Sequence, residues 1–128
     1  MQKLTKAEEQ MMQLLWKLDK AFLKEIIDAY PEPKPKKSTI STVLRILEEK
    51  GFIRHESFGK SFQYIPIVSK EIYAKFYFGS FLHGYFDGSF QKLLNFFYKE
   101  GDISTDTLDA LKELAESEET PNEEDHES

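Results

Sequence analysis

Ile40, Val43, Leu44 and Leu47 stand at i, i+3, i+4 and i+7, the spacing that aligns one side of an α-helix. Ser38, Ser41, Thr42 and Arg45 repeat that spacing on the other side. One face is therefore apolar and the other short, polar and hydroxyl-rich. Gly51 follows Lys50, and glycine there suits the left-handed conformation that stops a helix. Such a helix can rest on a core along one side and stay open along the other. Its neighbours in the chain decide which fold it serves.

Upstream, Thr5 and Glu8 form a capping-box pattern, and Leu4, Ala7, Met11, Leu14, Leu15 and Leu18 follow at helical spacing. This predicts a first helix near 5–18. Phe22, Ile26, Ile27 and Tyr30 predict a second, ended by Pro31, Pro33 and Pro35, which cannot continue it. Downstream, "FIRHES" and "KSFQYIPI" read as two strands around Gly59, with Pro66 closing the second. Three helices and a hairpin in that order make a winged helix-turn-helix. The expected fold class is mainly α with a small antiparallel β wing, over residues 1–68.

The composition changes at Ser69. Eleven of the eighteen aromatic residues lie between Tyr73 and Tyr98. Phe90, Leu93, Leu94 and Phe97 form another helical stripe, and Leu108, Leu111 and Leu114 a last short helix begun by Ser104, with Asp106 and Asp109 near its positive end. A helical region is expected over 69–116. Residues 117–128, acidic and without a large apolar side chain, read as a disordered tail.

The net charge of −6 is unevenly spread: residues 1–70 sum to +4 and residues 71–128 to −10. Salt screens charges beyond roughly 10 Å, so a basic face works on an acidic chain if the acids lie elsewhere. No apolar run approaches the ~20 residues that cross a bilayer, and no leader pattern opens the chain. With no cysteine there is neither a disulfide framework nor a thiolate metal site. A cytoplasmic protein is expected. His55, His83 and His126 are scattered without metal-ligand spacing, and no nucleophile or phosphate-loop motif occurs. No enzyme, metal or cofactor is expected.

A helix about 10 Å across fits the DNA major groove. Ser38, Thr39, Ser41 and Thr42 are short enough to approach phosphates and base edges. Lys36 and Lys37 sit where a helix N-terminus already attracts phosphate, and Arg45 is suited to a bidentate contact with guanine. Arg54 and Lys60, read as flanking the hairpin turn, would reach neighbouring backbone. His55 reads as facing solvent or phosphate. Glu48 and Glu49 would repel phosphate if they faced it. Two other readings remain open at this point: a winged-helix adaptor that docks a protein, and a regulator whose aromatic segment encloses a small ligand.

Residues 4–116 resemble the penicillinase and methicillin-resistance repressor family, BlaI/MecI. The resemblance lies in "LTKAEEQMMQLLW", "STISTVLRILEEKGFIRH", "GKSFQY" and "GSFQKLLNFFYKEGDIS", in the family's order and spacing. It implies a homodimeric transcriptional repressor that binds a dyad-symmetric promoter operator in double-stranded DNA and dimerises through its C-terminal helices. It also implies release by proteolysis of an Asn-Phe bond, here Asn95-Phe96, triggered by a membrane-bound sensor metalloprotease. The chain departs from the family at Ile46, where a basic residue is common, and at the acidic Glu48 and Glu49; these differences bear on operator sequence rather than binding mode. The copper-responsive branch uses C-terminal cysteines, which this chain lacks.

Dimerisation also has support in the residues. Tyr73, Phe76, Phe81, Tyr85, Phe86, Phe90, Leu93, Leu94 and Phe97 exceed what a short appendage would bury against itself, the other reading being a larger single-chain core. Gly79, Gly84 and Gly88 suggest short helices that cross closely.

Overall fold

A computed structural model describes residues 1–114 and 116; the expected acidic tail over 117–128 lies outside the described residues. The elements are α1 (Lys6–Leu18), β1 (Ala21–Phe22), α2 (Leu23–Ala29), α3 (Lys37–Glu49), β2 (Ile53–Phe58), β3 (Ser61–Pro66), α4 (Lys70–Phe86) and α5 (Phe90–Lys99). A further helix, α6, covers 105–114. The chain divides into two compact units, Met1–Phe76 and one beginning at Tyr77, so the division falls within α4 rather than at residue 68.

In the first unit the capping box is present. The Thr5 N–H donates to Glu8 Oε1 at 2.9 Å and the Glu8 N–H to Thr5 Oγ1 at 3.2 Å. From that start α1 buries Met11, Met12 and Leu15 against Ile26 of α2 and against Ile40, Leu44 and Leu47 of α3. Each fully buried side chain of this kind contributes roughly 1.5–3 kcal/mol. Phe52 and Ile53 continue the core beneath the sheet. Gly51, at φ +81°, makes the turn between α3 and that pair in a conformation few other residues adopt.

The sheet has three antiparallel strands in the order β1-β3-β2. The hairpin registers Ile53 with Pro66, His55 with Tyr64 and Phe58 with Ser61. Strand β1 was not foreseen: Ala21 pairs with Tyr64 and Phe22 with Gln63. Phe22, expected inside the second helix, is instead its extended N-cap residue. Two residues are too few to show alternation.

Two expected dimer residues belong to this first core. Tyr73 is only 4% exposed and its hydroxyl accepts the Leu4 N–H at 2.9 Å. Its ring lies 5.8 Å from Phe52 and 6.1 Å from Trp16, while Phe76 packs half-buried against the same cluster. The start of α4 thus closes the winged-helix core, with the Tyr73 ring set against Trp16 and Phe52.

The second unit buries Leu82 of α4, Leu93 and Leu94 of α5 and Leu108 of α6. The Ser104 cap of α6 is present, its Oγ accepting the Thr107 N–H at 3.1 Å. The expected short crossing helices are absent up to Phe86, since α4 runs unbroken through Gly79 and Gly84. A Cβ on either glycine would meet nothing within 4 Å. A helix tolerates such residues at about 1 kcal/mol each, so glycine alone does not break it. The break comes at Asp87 and Gly88, both at positive φ.

Candidate nucleic-acid interface

The length of α3 is set by its two ends. Lys36 is its N-cap residue in extended conformation, with no side-chain cap. The proline-containing turn before it is held by Lys34, whose Nζ donates to the carbonyls of Ile27, Asp28 and Tyr30 at 2.9, 3.2 and 2.7 Å. These groups, at and just beyond the C-terminal end of α2, include carbonyls otherwise left without intrahelical partners. Lys34 was not singled out from sequence, where it is one lysine in a basic run.

At its other end α3 is tied to α1. Lys50 Nζ donates to both carboxylate oxygens of Glu8, each at 2.9 Å. Glu8 is 5% exposed. Burial raises its pKa, but the Thr5 N–H and the Lys50 ammonium outweigh that and hold the carboxyl below the usual carboxylate range. The capping motif was legible; this second use of Glu8 depends on a partner 42 positions away.

With Ile40, Leu44 and Leu47 buried, Lys36, Lys37, Ser38, Thr39, Ser41, Thr42 and Arg45 are all exposed. They form one continuous outward strip. The Thr42 hydroxyl donates back to the Ser38 carbonyl at 2.9 Å, so its own turn of the helix already holds that proton. Lys36, Lys37 and Lys60 make no side-chain hydrogen bond or ion pair among the described residues, so their ammonium groups are available to an anion. Arg45 Nη1 pairs with Glu49 Oε1 at 3.0 Å, with both side chains largely exposed. Such a surface pair along a helix stabilises by only about 0.3–0.5 kcal/mol, while a bidentate arginine–guanine contact is worth roughly 1–3 kcal/mol. The pair is therefore weak enough to open for a stronger partner.

On the wing, Lys60 occupies the turn, but Arg54 does not flank it. Arg54 stands at the base of β2 opposite Ile65 and pairs with Glu56 at 2.9 Å. His55, expected at solvent or phosphate, is half-buried and bonded to α3. Its Nδ1 lies 2.6 Å from Glu48 Oε2, and its ring stacks on Phe62 at 4.3 Å and 25°. Burial, and then the Glu48 charge, push the Tyr64 hydroxyl above its usual pKa, so the carboxylate also bears on the sheet. Of the two acids that would repel phosphate, one is bound to the wing and the other to Arg45.

The second unit presents a different surface. Of the remaining expected dimer residues, Leu93 and Leu94 are buried within the protomer and Phe81, Phe86 and Phe90 are half-buried. Tyr85 and Phe97 are exposed, together with Phe78, Phe96 and Tyr98, which the sequence reading did not assign to this surface. Asn95 and Phe96 both lie exposed on α5. No helix among the described residues is long and apolar enough to cross a membrane, and no cluster of His, Asp or Glu there is arranged to hold a metal ion.

Comparison with known proteins gives one consistent answer. The family model described as penicillinase repressor matches residues 4–117. The penicillinase repressor of Bacillus licheniformis is 26% identical over 113 residues, covering 86% of this chain and 87% of that protein. The methicillin resistance regulatory protein MecI of Staphylococcus aureus is 28% identical over 114 residues, covering 87% and 91%. Among solved structures, the DNA-binding domain of the repressor BlaI, determined in solution, superposes with a TM-score of 0.50 at 28% identity, covering 57% of this chain and 94% of that one.

Proposed function

The chain belongs to the penicillinase repressor family, and from that premise we propose that it is a DNA-binding transcriptional repressor acting as a homodimer on an inverted-repeat operator. One observation carries the reading: α3 buries Ile40, Leu44 and Leu47 and leaves Lys36, Lys37, Ser38, Thr39, Ser41, Thr42 and Arg45 open as a cationic, small-side-chain strip. Ser38, Thr39, Ser41 and Thr42 enter the major groove, Arg45 reads a base, Lys36 and Lys37 hold phosphate at the helix start, and Lys60 reaches the flanking backbone. Arg54, paired and distant from the turn, contributes less.

The second unit joins two such modules. A single recognition helix discriminates poorly, and linking two multiplies affinity while demanding a matched half-site spacing. The exposed rings of Phe78, Tyr85, Phe96 and Phe97 supply apolar surface for a second copy. Cleavage of Asn95-Phe96 by a membrane-bound sensor metalloprotease would cut α5 in the middle of that surface and release the DNA.

Selection from a randomised duplex library tests the reading. The expected product is an inverted repeat with half-sites about one helical turn apart. Recovery of unrelated or asymmetric sequences would refute it.

A further inference from the structure

Beyond the assignment of DNA contacts, the structure shows how the wing is held relative to α3. Going outward along the hairpin face that meets the core, Ile53 is fully buried, His55 and its partner Tyr64 are half-buried, and Ser57 and Phe62 are exposed. The fully buried core therefore stops at Ile53, with Tyr64 packed half-buried at its edge. Beyond it, the Glu48–His55 contact is the one side-chain hydrogen bond or ion pair between α3 and the hairpin among the described residues. The ring of His55 is braced from β3 by Phe62, stacked at 4.3 Å, and lies 6.2 Å from Tyr64. One polar contact thus joins α3 to both wing strands beyond the fully buried core, while β1 and the Phe22 ring, 5.6 Å from Phe58, support the sheet from its other edge.

We propose that Glu48 and His55 are positioning residues that fix the wing against α3, so that Lys60 at the turn is presented together with the helix. An unlocked wing would pay its ordering cost on binding, and the phosphate contact at its tip would weaken without loss of the lysine itself. The inference rests on the proposed DNA-binding function for its consequence, but its geometric content concerns the free protein. It also accounts for an acid near the end of α3: Glu48 serves the wing and does not face the duplex.

Two measurements on the full chain test it. The protein has no cysteine, so spin labels on Gln13→Cys in α1 and Lys60→Cys at the turn report one distance. That distance should be narrowly distributed with Glu48 and His55 intact. It should broaden with either Glu48→Ala or His55→Ala, which break the contact from opposite sides, while Glu48→Gln, still an acceptor, should remain close to the original. The second measurement is binding to a 40-base-pair random-sequence duplex across a salt series. Lys60→Ala should lower the log–log salt slope by about 0.9. In the His55→Ala background the same substitution should lower it by less than half as much. An unchanged distance distribution together with a full loss of slope in both backgrounds would overturn the proposal. If the unsubstituted chain bound no duplex, the DNA-binding reading would fail, and the distance distribution alone would decide whether the pair holds the wing.

Discussion

At the scale of single residues, buried and exposed charges play separate parts. Glu8 is held ionised inside the protein by Thr5 and Lys50, and its pKa is depressed. A depressed carboxyl contributes stability that is fully present above the unfolded value, about 4.3, and is lost as the pH falls through the folded value. Thermal melts across acid pH should show that loss, and Glu8→Gln, which keeps the cap acceptor, should flatten it. An equally steep acid limb in the variant would assign the dependence to other carboxylates. Lys50→Met leaves Glu8 buried without its cation and should cost about 1–3 kcal/mol in denaturant unfolding. Arg45 and Glu49, both largely exposed, should show no comparable penalty.

Elements differ in how plainly the sequence announces them. Helix α3 was legible in full, because burial of one stripe and solvation of the other leave a periodic mark in the residues. The two faces should accordingly separate in experiment. Leu44→Ala should destabilise by about 2–5 kcal/mol through the cavity it leaves, whereas Ser41→Ala should change stability by less than about 0.5 kcal/mol and act on DNA binding instead. The capping box of α1 and the hairpin were legible for the same local reason. Strand β1 was not, since it exists by pairing with Tyr64 and Gln63 far along the chain. Tyr73 reads from sequence as a dimer residue because an aromatic residue at helical spacing looks the same whether its cover comes from Trp16 and Phe52 or from another molecule. In α4, Gly79 and Gly84 suggest breaks that the helix does not make. Gly79→Ala adds a Cβ with open space around it and should raise helix stability by about 0.5–1 kcal/mol, read as a higher melting temperature in dilute protein. A lower one would place a close neighbour at that position.

For the whole molecule, charge segregation reconciles an acidic protein with a polyanionic partner. The first 70 residues sum to +4 and carry the strip on α3, while the rest sum to −10. The family, the fold and the strip were all readable from residues 4–116, since they rest on local patterns and their order. The contacts that orient the strip were not readable: Lys34 on the end of α2, Lys50 on Glu8 and His55 on Glu48 each join residues whose proximity only the folded chain creates. The central claim is that the open side of α3 reads sequence. It is tested most directly by titrating the duplex recovered by selection, and a random duplex of equal length, with the unsubstituted chain and with Arg45→Ala. The account predicts that Arg45→Ala loses about 1–3 kcal/mol on the selected duplex and little on the random one. Equal losses on both, or none on either, would contradict it.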